Sequence, residues 1–232
     1  MVEIKGLEKF APKDFAGFIS STIFLGGCNF RCPYCHNSDL VLRPQTLPTF
    51  PMEYFLNFLD LRKGWLEGIC VTGGEPLLHD DLETLLSLIK ERDLLVKVDT
   101  NGSFPSRLEA LIQKELVDQV AMDVKAPLER YSEVTGVKVE KENILRSIDI
   151  VKNSGLPYVF RCTVVPGLIG PEDVEKISLL IKGAKVFQLQ QFVPANPIDS
   201  DYLQIKPFSK EEVQKFAKIA APYLSEIRVE GV

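Results

Sequence analysis

Short runs of β-branched and apolar residues alternate with segments of helical period along most of the chain, and this alternation restricts the fold more than any other feature. The runs Ser20–Gly26, Ile69–Thr72, Val96–Thr100, Gln119–Val124, Tyr158–Val165 and Val186–Phe192 read as strands, and a short final one is expected at Glu226–Val229. Between them, Asp81–Arg92 places Leu82, Leu85, Leu86 and Ile89 on one face, and Arg107–Leu116 does the same with Leu108, Leu111, Ile112 and Leu116. Asn143–Asn153 stops at Gly155, Pro171 opens a helix that closes near Gly183, and Ser209 with Glu212 forms a capping box. Such alternation builds βα units around a parallel sheet, with right-handed crossovers that put the helices outside. The expected fold class is α/β, a partial (βα)6 TIM-like barrel of parallel strands with outer helices. Arg43–Pro51, with three prolines, reads as an irregular connection. With 232 residues and 45% hydrophobic content, one domain over 1–232 is expected, its core at about 18–195 and a C-terminal helix and strand within 205–232.

Residues two apart in a strand share a face, which pairs Asp99 with Asn101, Asp123 with Lys125, Arg161 with Thr163, and Gln188 with Gln190. The intervening Val98, Met122, Val124, Cys162 and Leu189 are mostly apolar and belong against the helices, so the polar set turns inward. A barrel packed only for stability fills that space with Val, Ile and Leu. Interior polarity therefore points to a zwitterionic ligand at the C-terminal strand ends, against the alternative of a self-contained network of Asp99, Asp123, Lys125 and Arg161.

Three cysteines fall within eight residues, Cys28, Cys32 and Cys35, in the loop after the first expected strand. Thiolates favour zinc or iron-sulfur clusters, and a closed zinc site wants a fourth ligand. His36 is adjacent to Cys35 and folds back poorly, and His79 is the other histidine. A cluster held by three cysteines instead leaves one iron open to a small molecule. A zinc or thiol-redox site is the alternative. Cys70 and Cys162 lie in strand runs and read as core thiols. The cysteine pattern fits a reducing compartment better than a disulfide framework. A net charge of −5 gives no nucleic-acid footprint. The first residues lack the apolar core of a signal peptide and no run reaches membrane length, so a cytoplasmic protein with no membrane partner is expected.

The spacing Cys-x-x-x-Cys-x-x-Cys, with Tyr34 before the last cysteine, resembles the radical S-adenosylmethionine (SAM) superfamily. Thr72-Gly-Gly-Glu-Pro76, Asp99-Thr-Asn-Gly102 and Asp123-Val-Lys125 then resemble that superfamily's later motifs, in order. The resemblance implies a 4Fe-4S cluster on Cys28, Cys32 and Cys35, with the amino and carboxylate groups of SAM on the fourth iron. It implies that Gly73 and Gly74 let backbone approach the methionine amino group beside Glu75. Asp99, Asp123 and Lys125 are placed near the carboxylate and ribose, Tyr34 near adenine, and Arg161 near a carboxylate or the substrate backbone. His36 is implied as a hydrogen-bond donor to the cluster region, and Asn37, Asn101 and Gln190 complete the expected cofactor contacts.

Within the superfamily, Tyr34-Cys-His-Asn37, Asp123-Val-Lys125 and Arg161 through Val164-Val-Pro-Gly167 look like the glycyl-radical enzyme activating enzymes, the group that serves pyruvate formate-lyase and anaerobic ribonucleotide reductase. Ala16-Gly17 stands where that group has Pro-Gly, and Gln190-Gln-Phe-Val193 lacks a histidine near Val193. The implied chemistry is reductive cleavage of SAM to a 5′-deoxyadenosyl radical that takes hydrogen from a glycine Cα of a partner enzyme. The electron comes from flavodoxin or ferredoxin, and no side chain acts as general acid or base. Two alternatives stand beside this reading: a radical SAM enzyme acting on a small molecule such as a deazapurine precursor, and a non-enzymatic metal or redox module.

Overall fold

The structure is a computed structural model that describes residues 2–232; Met1, the first residue of the expected domain, lies outside them. The chain forms two compact units. The first comprises the residues up to Asn29, Asp39–Thr100 and Phe104–Val120, and the second comprises Phe30–Ser38, Asn101–Ser103 and Ala121–Val232. In both, sheet order equals chain order.

The first unit holds β1 (Ile4–Glu8), β2 (Ser20–Leu25), β3 (Gly68–Gly73) and β4 (Leu95–Thr100), with most of α1 (Ser38–Leu42), and α2 (Met52–Asp60), α3 (Leu82–Lys90) and α4 (Pro105–Gln113). β2, β3 and β4 pair in parallel. Their side chains Ile23, Leu25, Ile69, Val71, Val96 and Val98 are wholly buried, as are Leu85, Leu86 and Ile89 on the apolar stripe of α3. β1 was not expected, because Ile4-Lys-Gly-Leu-Glu8 has no clean alternation; antiparallel pairing with β2 is what makes it a strand. The proline-rich connection is more ordered than its composition implies. The Phe50 amide donates to the Ile4 carbonyl at 2.8 Å and Lys5 Nζ donates to Thr49 Oγ1 at 2.7 Å, which covers the outer edge of β1 before α2 begins.

The second unit holds most of β5 (Gln119–Asp123), then α5 (Tyr131–Thr135), α6 (Lys141–Asn153), β6 (Tyr158–Val164), α7 (Pro171–Leu180), β7 (Val186–Gln191), α8 (Lys210–Ala220) and β8 (Glu226–Glu230). β6, β7 and β8 pair in parallel. Ile144 and Val151 of α6, Val174 and Ile177 of α7, and Phe160, Phe187 and Leu189 of the strands are fully buried. Ser209 accepts from the Glu212 amide while Glu212 accepts from the Ser209 amide, the reciprocal cap that the sequence predicts for α8. Parallel pairing brings the C-terminal ends of β2, β3 and β4 to one edge of the first unit. Among the described residues, no helix is long and apolar enough to cross a membrane.

Candidate active site

The first unit supplies Cys28 and the Thr72–Pro76 turn, and the two are joined through backbone. The Gly74 amide donates to the Leu25 carbonyl and the Glu75 amide to the Gly27 carbonyl, both at 2.9 Å. A Cβ on Gly73, whose φ is +127°, would collide with the Leu25 backbone, and one on Gly74 would collide with the Gly27 carbonyl and crowd Cys28 Cβ at 3.2 Å. The paired glycines therefore serve close packing of the turn against the cysteine loop, a need additional to any ligand. Glu75 is fully buried, and its Oε1 accepts from the Leu77 amide at 3.1 Å and Thr100 Oγ1 at 2.8 Å. His79 Nε2 donates to the Gly26 carbonyl at 2.9 Å, fixing the chain two residues before Cys28. Asp99 pairs with Lys97 at 2.7 Å, and Cys70 Sγ lies 3.7 Å from both groups. Lys97, only 5% exposed, escaped the sequence reading although its spacing two before Asp99 places both on one strand face.

The second unit supplies Cys32, Tyr34 and Cys35. Cys32 is buried, Cys28 and Cys35 are half-buried, and none of the three is in a disulfide. The Cys35 amide closes a turn onto the Cys32 carbonyl at 3.0 Å. The Arg31 amide donates to the Thr135 carbonyl at 2.8 Å at the end of α5, where Gly136 takes φ +69° and a Cβ would meet the Arg31 carbonyl at 2.6 Å. Tyr131, at the start of α5, packs edge-on against Phe30. Its hydroxyl accepts from the Lys125 amide at 3.2 Å and donates to the Asp123 carbonyl at 3.4 Å, linking the cysteine loop to the end of β5. Sequence reasoning missed Tyr131, because no motif marks a contact made across a hundred residues.

Asp123, Lys125 and Arg161 come together in a mutual network, the arrangement that stood as the alternative to a ligand site. Asp123 Oδ1 takes Arg161 Nε at 2.7 Å and Oδ2 takes Lys125 Nζ at 2.9 Å. Burial alone would push the Asp123 carboxyl upward, but the Arg161 guanidinium and then the Lys125 ammonium hold it well below the usual carboxylate range. Burial alone would lower the Lys125 pKa, but Asp123, with Tyr34 and Cys32, together hold it above its ordinary value. Two cations and one anion leave the trio at net +1, which favours a ligand carboxylate. Burial pushes the neighbouring Cys162 thiol up to about 12, so it stays protonated and inert.

The remaining expected residues divide. Asn101 Oδ1 accepts from the Ser103 amide at 3.0 Å and from Ser103 Oγ at 2.5 Å, so it shapes the turn that follows β4. Gln190 is half-buried and pairs in register with Thr163. His36 is exposed and Asn37 half-buried. Tyr34 is 6% exposed, and its ring faces Tyr202 at 6.5 Å between centroids; Tyr202 also meets Phe192 edge-on at 6.1 Å. Three cysteines in one short loop are the donor set an iron-sulfur cluster needs, and the buried Tyr34 hydroxyl has no hydrogen-bond partner, as expected of a group that meets a ligand.

Residues 22–181 match the Radical SAM superfamily. A Methanocaldococcus jannaschii protein, MJ1227, assigned by name to the glycyl-radical enzyme activating enzymes, is 31% identical over 99% of this chain and 96% of its own. The pyruvate formate-lyase-activating enzyme of Clostridium pasteurianum is 26% identical over 98% of both chains. The crystal structure of Streptococcus suis SuiB bound to S-adenosylmethionine superposes on 88% of this chain and 48% of that one, with a TM-score of 0.67 at 16% identity, which shows a shared fold. The α/β partial-barrel class expected from strand alternation is thus the fold of this protein's structural relatives. Matching motifs, similarity over nearly the full length and fold agree that the chain belongs to the radical SAM superfamily, as an enzyme of the glycyl-radical enzyme activating group.

Proposed function

We propose that this protein binds a 4Fe-4S cluster through Cys28, Cys32 and Cys35 and uses it with SAM to install a glycyl radical on a partner enzyme. The observation that carries the reading is the set of three cysteines in one short loop, none of them in a disulfide, whose ends are held in sequence by the Gly73-Gly74-Glu75 turn and by α5. The cluster, when bound, supplies the electron that cleaves SAM into methionine and a 5′-deoxyadenosyl radical, which takes a hydrogen atom from a glycine Cα of the partner. Lys125 and Arg161, partly neutralised by Asp123, receive the SAM carboxylate. The backbone about Gly73 to Glu75 receives the amino group. Asp99, Asn101 and Gln190 serve the ribose and the neighbouring polar groups, while His36 and Asn37 sit beside the cluster. The chain's own work is positioning and exclusion of water, since no residue is assigned a proton-transfer role.

The whole of residues 1–232 serves as one catalytic domain. The electron donor is flavodoxin or ferredoxin, and the setting is the cytoplasm. The direct test mixes the reconstituted, reduced protein with SAM and a purified glycyl-radical enzyme of the pyruvate formate-lyase type or of the anaerobic ribonucleotide reductase type. A glycyl radical seen by electron paramagnetic resonance in either partner is the expected result. SAM turnover with no radical in either, and with a modified small molecule instead, would move the protein to another branch of the superfamily.

A further inference from the structure

Lys97 stands in the middle of β4 and is buried, a place that lysine takes only when its charge is paired. Stability alone does not ask for it, because two apolar residues in the positions of a buried ion pair serve stability as well or better. Val96 and Val98 are wholly buried on one face of the strand, so Lys97 and Asp99 share the other, two residues apart. The parallel register sets Cys70 of β3 opposite Lys97. Three side chains meet there. Lys97 Nζ donates to Asp99 Oδ1 at 2.7 Å, and Cys70 Sγ lies 3.7 Å from each, accepting from the ammonium and donating to the carboxylate. Both contacts reach Asp99 from the level two residues before it, away from the strand end at which the ligand is expected.

We infer that Lys97 is a positioning residue, which holds the Asp99 carboxylate charged and fixed so that Asp99 can accept hydrogen bonds from the ribose hydroxyls of SAM. This rests on the SAM reading of the site and deepens it, because Lys97 belongs to none of the motifs. A buried carboxylate left without a cation is driven toward its protonated form, in which one oxygen becomes a donor. The ammonium 2.7 Å away opposes that change and pins one oxygen. Hydrogen bonds to a charged acceptor are roughly twice as strong as those between neutral groups, so an uncharged sugar with two hydroxyl donors gains from an ionised Asp99. The pair itself carries no net charge, and the ligand therefore has none to compensate at this end.

The test titrates cluster-loaded protein with SAM, and with 5′-deoxyadenosine and methionine as separate competitors, in wild type, Lys97→Met, Asp99→Asn and the double variant. Lys97→Met should weaken SAM and 5′-deoxyadenosine about tenfold and leave methionine unchanged, since only the nucleoside carries the ribose. The double variant, which strands no buried charge, should bind SAM no more weakly than Asp99→Asn alone, because Lys97 acts through Asp99. Unchanged SAM affinity in Lys97→Met overturns the proposal. So does a loss shared equally by methionine and 5′-deoxyadenosine, which is the mark of a merely structural lysine, and so does a double variant weaker than Asp99→Asn. If Lys97→Met fails to fold, that last comparison decides the matter by itself. Failure of the cluster-loaded wild type to bind SAM would overturn the reading of the site, and the inference with it.

Discussion

Asp123 holds two cations in place, and its removal separates electrostatics from packing at the residue scale. Asp123→Ala leaves Lys125 and Arg161 without their shared counter-charge in a partly buried site, which we expect to cost about 2 to 4 kcal/mol in urea unfolding and to weaken SAM binding. A loss below about 0.5 kcal/mol would show that the trio is surface-like. The pH dependence follows from the same residue. Its folded-state pKa lies below the unfolded value of about 3.9, so its contribution is complete above that pH and fades as pH falls toward the folded value. Urea midpoints measured from pH 6 to pH 2 should fall less steeply in Asp123→Asn than in the wild type. Motif residues such as Asp123, Lys125 and Arg161 were legible in the sequence because spacing and chemistry mark them. His79, Tyr131 and Tyr202 were not, since each acts through a contact distant in sequence or through a backbone carbonyl, whereas Lys97 was overlooked despite pairing with Asp99 two residues on.

At the scale of elements, two glycines of similar appearance should behave differently. Gly74→Ala drives a Cβ into the Gly27 carbonyl at the entrance to the cysteine loop, whereas Gly167, with φ +79°, has nothing within 4 Å of an added Cβ. We expect Gly167→Ala to cost about 1 kcal/mol, through backbone strain alone. Gly74→Ala should cost about 3 kcal/mol and reduce the iron retained after reconstitution, because the turn and the loop must part. Comparable losses in the two, by chemical denaturation and iron assay, would contradict the packing role of the turn. The helices and inner strands were legible because burial on one face imposes period on the sequence. β1 was not, because its residues carry no alternation and it is defined only by its pairing with β2, and the Arg43–Pro51 connection hid an edge-covering bridge behind proline content.

At the scale of the whole molecule, strand alternation was enough to place the chain in the α/β class, and the ordered motifs were enough to place it in its superfamily. The compact units, and the use of the segment after β7 to cover Tyr34, come from long-range packing that no local pattern encodes. The measurement that most directly tests the central claim is anaerobic reconstitution of the full chain with iron and sulfide, reduction with dithionite, addition of SAM, and chromatography for 5′-deoxyadenosine and methionine. Cys32→Ala serves as the control. The expected result is both products in equal amounts from wild-type protein, dependent on reductant, and none from Cys32→Ala, which should also lack the visible absorption of the cluster. Equal product from the two proteins, or none from wild-type protein carrying a full cluster and bound SAM, would contradict the account.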